Sequence, residues 1–274
     1  MKHVYLFAAT CALLSMVSCS QGGQSFPKLN QKGKIAIVAH QGFWNCEAAG
    51  KAVNSVASLK AAQDAGFWGS EFDVHITTDD VVLVFHDDTI DGVRIDTTVA
   101  ATFADHRLKN GEPVPTLEDF LVQAGKCRTT RMVLEFKSEI TPEREDALID
   151  KTVELLKKYG LFSPKRVLFI SFSQYVSKRL AADYPEFVNQ YLTGDLSPEA
   201  LAADGINGLD YYQSFILNDT TIVARCRDLG MSVNVWTVND PAVMQTMIGL
   251  GVDAITTNEP EILRGLLGEK EFRL

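Results

Sequence analysis

Apolar and polar positions follow two alternating periods from Ile35 onward. Short β-branched apolar runs are separated by longer segments in which apolar residues recur at the 3.6-residue period of a helix. This alternation predicts a parallel sheet with helices packed outside it. The predicted strands are 35–39, 70–75, 81–86, 132–136, 167–171, 188–192, 209–212, 232–237 and 254–257.

The segments between these runs predict helices. Several of the helices should begin with a proline directly after a polar residue, as at Pro142, Pro241 and Pro260. About 240 residues of such alternation, with no repeat and no second linker, are typical of one α/β domain, a TIM (β/α)8 barrel. The predicted helices are 55–65, 117–124, 142–159, 174–183, 198–203, 219–229, 241–250 and 260–267.

One connection breaks the alternation and leaves one strand more than a simple barrel needs. Between the second and third predicted strands only a few polar residues are available, so no helix fits there. We expect a small extra hairpin, although a tight parallel crossover is the competing geometry. A two-residue turn would place Glu71 across from His86 and Asp73 across from Val84, with all four side chains on one face.

The first residues have the features of an export signal. A short basic start precedes an apolar run over 4–17 that is too short to span a bilayer as a mature helix. Residues 15–19, Ser-Met-Val-Ser-Cys, resemble a bacterial lipobox, so we expect a signal peptide over 1–18 and lipidation of Cys19. The alternative is a secretory signal that is cleaved elsewhere.

The segment that follows the signal is polar and rich in glycine. We interpret 19–33 as a lipid-attached flexible tether, and 34–274 as the barrel domain. The expected location is therefore outside the cytoplasm, as a lipoprotein on the periplasmic side of a bacterial membrane or on the cell surface. The lipid anchor would make the membrane a partner.

Composition narrows the possible partners. A hydrophobic content of 46% is ample for one large core, and a net charge of −9 argues against nucleic acid or an anionic membrane surface as the main partner. Beyond Cys19, Cys46, Cys127 and Cys226 form an odd, widely spaced set, so we expect free thiols. No pattern in the sequence predicts an oligomeric state.

Three acidic residues lie on predicted strands where a barrel is packed inside. Glu71 and Asp73 are two residues apart, so both carboxylates project from one face, and Glu135 ends another apolar strand. Buried carboxylates need a compensating charge, and oxygen ligands suit Mg²⁺ or Ca²⁺. The competing interpretation is a set of structural ion pairs, for example Glu135 with Lys137.

Two histidines lie at the carboxyl ends of predicted strands, so both should lie at the same end of the barrel. His40 closes the first strand and His86 the third. A neutral imidazole can accept a proton and a protonated one can donate it, which phosphodiester cleavage requires once a cation neutralises the phosphate. We assign structural roles to His75, in the hairpin region, and to His106, on the surface.

Two further residues are candidates for contacting a substrate. Lys137 shares strand parity with Glu135, so its ammonium could reach a phosphate, or it could be a strand-end lysine in solvent. Trp236 could form the floor of a pocket for an alcohol or head group, or it could belong to the core.

Short motifs occur in a characteristic order along the chain and cover residues 39 to about 260. They resemble those of the glycerophosphodiester phosphodiesterase family, whose pattern begins with His-Arg-Gly, Asn-Thr and Glu-x-Asp-Val. The matching segments are 39–42 (AHQG), 54–55 (NS), 71–74 (EFDV), 84–87 (VFHD), 134–137 (LEFK), 235–239 (VWTVN) and 251–258 (GVDAITTN).

This resemblance implies a TIM barrel that hydrolyses a small phosphodiester to glycerol phosphate and an alcohol. It implies one divalent cation on Glu71, Asp73 and Glu135, with His40 and His86 as the acid/base pair. A glycerol hydroxyl of the substrate would attack phosphorus to expel the head-group alcohol. Lys137 would help to hold the phosphate.

The chain departs from the family pattern at two positions. Gln41 replaces an arginine suited to gripping phosphate oxygens, and Val53 replaces a glutamate for which Glu47 in the preceding loop could substitute. Gln41 and Glu47 are therefore further candidate substrate-binding residues. Two other functions stay open: a phospholipase-like barrel that acts on an intact lipid, and a non-catalytic lipoprotein that binds phosphodiesters.

Overall fold

The structure is a computed structural model that describes Leu29 and residues 34–269. The expected signal peptide, the lipidation site Cys19 and most of the expected tether lie outside the described residues. The strands are β1 (Ala36–Ala39), β2 (Gly69–Ile76), β3 (Val82–Val84), β4 (Thr89–Ile90), β5 (Val93–Arg94), β6 (Arg131–Phe136), β7 (Val167–Ser171), β8 (Asn189–Tyr191), β9 (Gly208–Tyr212), β10 (Ser232–Trp236) and β11 (Ala254–Thr257).

Helices occupy most of the connections between these strands, and a 3₁₀ helix spans Ala100–Phe103. The α-helices are α1 (Val56–Asp64), α2 (Leu117–Ala124), α3 (Pro142–Lys158), α4 (Gln174–Asp183), α5 (Pro198–Ala203), α6 (Gln213–Asn218), α7 (Thr221–Asp228), α8 (Pro241–Leu250) and α9 (Pro260–Leu266). In the described part of the chain, none of them is both long and apolar enough to cross a membrane.

The strands close into a barrel. The hydrogen-bonded order is β1, β11, β10, β9, β8, β7, β6 and β2, and β2 pairs again with β1. All eight neighbouring pairs in this ring are parallel. The predicted TIM barrel is therefore confirmed, with β3 as an additional strand paired to β2.

Alternating side chains divide the core into an outer and an inner part. On β1, Ile37 and Ala39 pack outward against helices, whereas Ala36 and Val38 face the barrel interior. On β2, Phe72 and Val74 face outward, which leaves Glu71 and Asp73 on the inner face. Strand parity therefore determines which polar residues meet inside the barrel.

Apolar residues fill the amino-terminal end of the barrel. Leu29, which lies within the segment expected to be a tether, is buried and packs with Val38, Val133, Leu168 and Ala254. Because this end is filled with aliphatic side chains, the polar interior positions lie toward the carboxyl ends of the strands.

Helix starts follow the polar signals in the sequence. Ser55 and Thr116 each form a capping box with the residue three positions later. Pro142 and Pro241 follow Thr141 and Asp240, whose side chains accept hydrogen bonds from backbone N–H groups of the first turn. Pro260 also begins its helix, but its N-cap residue makes no such side-chain bond.

The extra hairpin is antiparallel, as expected, but the predicted register is wrong by one residue. Val74 pairs with Val84, so Asp73 faces Phe85 rather than Val84, and Glu71 is not paired with His86. The turn is one residue longer than predicted, because the N–H of Thr77 donates to the carbonyl of Val81. Asp80 adopts a left-handed conformation with φ of 59°, as in three-residue hairpin loops.

Four short elements, two strands and two helices, were not predicted. A second hairpin formed by β4 and β5, together with the 3₁₀ helix, lies between β3 and α2. The helix predicted over 219–229 is preceded by the short α6 and itself begins at Thr221. These elements are only a few residues long, so they produce no repeating apolar period.

Gly208 lies inside the barrel where a larger residue has no room. A Cβ atom at this position would be 2.3 Å from Ser232 Oγ and 2.8 Å from Gln190 Cγ. The inner faces of β8, β9 and β10 therefore meet around a glycine.

We expect Gly208→Ala to lower the free energy of unfolding by about 1–3 kcal/mol, because an added methyl overpacks the interior. Gly249→Ala is the matched control, since Gly249 lies in α8 and nothing would contact its Cβ. That change should stabilise the helix by about 0.5–1 kcal/mol. Urea unfolding monitored by circular dichroism measures both, and a neutral Gly208→Ala would contradict the packing.

Candidate active site

Three carboxylates from two neighbouring strands converge inside the barrel. Asp73 on β2 pairs in register with Glu135 on β6, and Glu71 lies two residues before Asp73. One carboxylate oxygen from each residue lies within 4.8 Å of the other two. All three side chains are buried, so water screens their mutual repulsion weakly.

Groups on the β1–α1 loop hold these carboxylates in place. The backbone N–H of Gln41 donates to Glu71 Oε2 at 2.7 Å, and the Asn54 amide donates to Asp73 Oδ2 at 2.8 Å. Gly42 has a φ of 78°, and a Cβ atom there would lie 2.2 Å from Ser58 Oγ. The close approach of the loop backbone to Ser58 therefore requires glycine at this position.

Lys137 supplies positive charge to the cluster. Its Nζ lies 2.8 Å from Glu135 Oε1 and 3.3 Å from Asp73 Oδ1. Burial alone would lower its pKa, but the two carboxylates raise the pKa of Lys137 above its ordinary value. Lys137 is therefore an ammonium ion that balances part of the charge.

The remaining negative charge perturbs the carboxylates. Burial and the charge of Asp73 raise the pKa of Glu135 to about 8, and burial with Asp73 and Glu135 raises the pKa of Glu71 well above its usual range. Burial opposes ionisation of Asp73 too, but Lys137 and the histidines lower its pKa. One lysine thus favours ionisation of one acid and leaves two without a compensating charge.

His40 follows β1 and its tautomer can be deduced from its neighbours. Its Nδ1 lies 2.8 Å from Asn258 Oδ1, which also accepts the indole N–H of Trp44 at 3.1 Å. Because an indole nitrogen only donates, the shared atom is an oxygen, so Nδ1 of His40 carries the proton. Burial lowers the pKa of His40, and its Nε2, 4.0 Å from Glu71 Oε2, is thus free to accept a proton.

His86 lies at the mouth of the same space. Its side chain is 50% exposed, and its Nδ1 lies 2.7 Å from the carboxylate of the adjacent Asp87. A carboxylate accepts hydrogen bonds, so this contact orients the ring with Nδ1 donating. Although the predicted strand register is wrong, His86 still lies beside the carboxylates because it follows the end of β3.

A cavity of about 380 Å³ brings most of the predicted residues together. Lys137 and Trp236 lie on its wall. Gln41 is buried and contributes its backbone N–H to Glu71, and its side chain is not part of the wall. Glu47 is exposed and lies outside the wall. The cavity is lined by His40, Glu71, His86, Glu135, Lys137, Ile170, Phe172, Leu192, Asp210, Trp236 and Thr256.

The other two histidines lie outside this wall. His75 is buried with its Nδ1 3.2 Å from Glu139, whose Oε1 also accepts the N–H of Ile76. This contact ties the first hairpin to the loop after β6. His106 contacts Asp91 at 2.9 Å and packs edge-on against Phe85.

Asp210 is a cavity residue that the sequence reasoning missed. It lies on the inner face of β9, is 1% exposed, and accepts a hydrogen bond from Asn234 at 2.9 Å. Burial and the charge of Glu135 raise the pKa of Asp210 well above its usual range. The signal was available, because Asp210 is an acidic residue within an apolar strand, as Glu71 and Glu135 are.

The carboxylate cluster has the composition of a site for a hard divalent cation. Glu71 Oε1 is buried, and no hydrogen-bond donor within the described chain satisfies it. Oxygen atoms from Glu71, Asp73 and Glu135 are close enough to coordinate one ion, which would compensate the charge that Lys137 leaves. In residues 34–269, no other group of three potential ligands is this close.

Comparison with known proteins gives one consistent assignment. Residues 45–262 match the model of the glycerophosphoryl diester phosphodiesterase family. A glycerophosphodiester phosphodiesterase of Caldanaerobacter subterraneus is 26% identical over 231 residues, which are 78% of this chain and 90% of that protein.

Two solved structures share the fold over most of their length. A glycerophosphodiester phosphodiesterase from Parabacteroides distasonis is 40% identical with a TM-score of 0.82, over 86% of this chain and 97% of that one. A phosphodiesterase from Oleispira antarctica, in complex with the product sn-glycerol-3-phosphate, is 25% identical with a TM-score of 0.72. The match covers 85% of this chain and 97% of that one. The chain described here belongs to the glycerophosphoryl diester phosphodiesterase family.

Proposed function

We propose that this protein hydrolyses glycerophosphodiesters to glycerol phosphate and an alcohol in the cavity at the carboxyl end of the barrel. The observation that carries the proposal is the cluster of three buried carboxylates, two of which line this cavity together with one lysine and two histidines. Family membership supports it, as does the glycerol phosphate product bound to the Oleispira relative.

One divalent cation, Mg²⁺ or Ca²⁺, would be held by Glu71, Asp73 and Glu135. When bound, it would neutralise phosphate oxygens and so make phosphorus more electrophilic. Asn54 and the N–H of Gln41 orient two of the carboxylates for this role. Lys137 would contact a phosphate oxygen from the adjacent position.

The two histidines would move the protons. Nε2 of neutral His40 can accept a proton from the attacking hydroxyl group, which the family resemblance assigns to the substrate glycerol. His86, which is more exposed, would donate a proton to the departing head-group oxygen. This step leaves a cyclic glycerol phosphate, which a water molecule would then open to glycerol phosphate, with His86 accepting the proton of the water and His40 returning its proton to the released glycerol oxygen. Trp236 would contact the alcohol portion of the substrate from the cavity wall, whereas the exposed position of Glu47 gives no support to a substrate contact.

We further propose that the protein is exported and carries a lipid on Cys19. The basic start, the short apolar run and the sequence before Cys19 support this proposal. The anchor would hold the barrel near a membrane, where phosphodiesters from deacylated lipids are released.

Glu71→Gln should abolish cation binding, because it removes one of three charged ligands. At a cation concentration 100-fold above Kd, we expect the unaltered protein to be stabilised by about 2.7 kcal/mol and the variant not at all. Without cation, the variant should melt at a higher temperature than the unaltered protein, since an amide at this position neither buries a charge nor takes up a proton on folding.

Thermal unfolding with chelator, Mg²⁺ or Ca²⁺ measures both effects, and hydrolysis of glycerophosphocholine is assayed in parallel. Glu261→Gln, on the exposed face of α9, is the matched control and should behave like the unaltered protein. Full activity in chelator would contradict the metal site.

His40→Ala and His86→Ala should each lower kcat for glycerophosphocholine by about 10²–10⁴-fold, with a smaller change in KM, because each removes a proton-transfer group. His106→Ala is the control, since His106 lies outside the cavity wall. Steady-state kinetics on all three variants test the assignment. A variant of His40 or His86 with unaltered kcat would exclude that residue from proton transfer.

Cys19→Ser should move the protein from the membrane fraction to the soluble fraction of expressing cells, because the serine hydroxyl cannot carry the thioether-linked lipid. Cys127→Ser is the control, because Cys127 belongs to the barrel domain and should not affect anchoring. Fractionation followed by immunoblotting measures the distribution. Equal membrane retention of Cys19→Ser would refute lipidation at this position.

A further inference from the structure

Asp210 lies across the barrel from the carboxylate cluster. In the closed strand order, β9 is four strands from β2 in either direction, through β10, β11 and β1 or through β8, β7 and β6. Asp210 therefore lies on the wall opposite Glu71 and Asp73. It does not belong to the group of carboxylates that can share one ion.

The bonding of Asp210 satisfies only one of its two oxygens. Oδ2 accepts a hydrogen bond from the Asn234 amide, and the same amide nitrogen donates to Thr256 at 2.9 Å. The N–H of Val235 donates to the amide oxygen of Asn234, which fixes the orientation of the amide. Oδ1 of Asp210 is buried and has no hydrogen-bond partner among the described residues. The cavity wall thus holds a positioned carboxyl group with one free acceptor.

Within residues 34–269, no ammonium or guanidinium group contacts this oxygen. Of the cavity-lining residues, Lys137 is the one lysine or arginine, and its Nζ contacts Glu135 and Asp73. A buried carboxyl oxygen without a partner is unfavourable, so its position on the cavity wall indicates that a ligand compensates it.

Two aromatic rings, those of Phe172 and Trp236, lie on the cavity wall with Asp210. The Trp236 indole donates to the backbone carbonyl of Asp210 at 2.8 Å, which ties the ring to β9. Phe172 and Tyr212 each contact Trp236 with ring centroids 5.4 Å apart, and both are partly exposed. An aromatic face beside a carboxylate is suited to binding an ammonium group, because both attract positive charge. A neutral hydroxyl group would gain no such attraction.

We propose that Asp210 is the specificity residue that binds the ammonium group of an ethanolamine-type head group, with Trp236 beside it. This inference rests on the proposed function, because it assumes that the phosphate lies at Glu71, Asp73 and Glu135. The head group then extends across the cavity from the cation wall to β9. A primary ammonium can donate directly to Oδ1, whereas a quaternary ammonium is attracted by charge and by the aromatic ring alone.

The test compares three ligands that share glycerophosphate and differ in the head group. Glycerophosphoethanolamine has a primary ammonium, glycerophosphocholine a quaternary one, and glycerophosphoglycerol has neutral hydroxyls. Binding is measured by titration calorimetry on the full chain carrying His40→Ala, which slows turnover, with Mg²⁺ present. We expect glycerophosphoethanolamine to bind at least about tenfold more tightly than glycerophosphoglycerol.

Asp210→Asn conserves shape and can still accept the hydrogen bond from Asn234. It should weaken glycerophosphoethanolamine at least about tenfold, glycerophosphocholine less, and leave glycerophosphoglycerol unchanged. Asp64→Asn removes an equal charge from the exposed surface of α1 and should change none of the three affinities.

Equal weakening of all three ligands by Asp210→Asn, or no weakening of glycerophosphoethanolamine, would overturn the assignment. Equal affinity of the parent for glycerophosphoethanolamine and glycerophosphoglycerol would also overturn it, and that comparison does not require the Asp210 variant to fold. Turnover is assayed separately with His40 intact. Selective binding without turnover would disprove hydrolysis while supporting the role of Asp210.

Discussion

The burial of carboxylates beside a single lysine is the constraint on which the site depends. Moving a charge from water into a protein interior costs several kcal/mol unless another charge or donor compensates it. Lys137 compensates one negative charge. The hydrogen bonds from the Gln41 N–H and the Asn54 amide compensate part of a second one. The cluster is stable as a group of anions only when a further positive charge lies among the three carboxylates.

Strand parity explains why the sequence predicted this cluster. Glu71 and Asp73 are two residues apart in an otherwise apolar strand, so they must face the same way, and on a barrel strand that way is inward. Glu135 follows the same rule on β6, which pairs in register with β2. The pairing of those two strands follows from the barrel topology, so the proximity of the three carboxylates could be predicted from the sequence alone.

Details of turns and of long-range contacts could not be predicted in the same way. The hairpin register depends on Asp80 adopting a left-handed conformation, which no residue pattern in that turn specifies. The contact of His40 with Asn258 joins residues 218 positions apart, and the second hairpin is too short to show a period. Asp210 obeys the parity rule that revealed Glu71, but its role depends on which partners surround it.

The tautomer of His40 depends on the contact between the first and last strands of the barrel. Asn258 follows β11, and its oxygen accepts from both Trp44 in the β1–α1 loop and His40 after β1. This arrangement exists because β1 pairs with β11, and that pairing, with that of β1 and β2, closes the ring. The carboxylates, by contrast, depend on the pairing of β2 with β6 and on the β1–α1 loop, which the pairing of β1 with β2 keeps beside them. Opening the barrel at β11 would therefore release the proton acceptor while the carboxylate cluster stayed assembled, so the orientation of the base depends on complete closure of the fold.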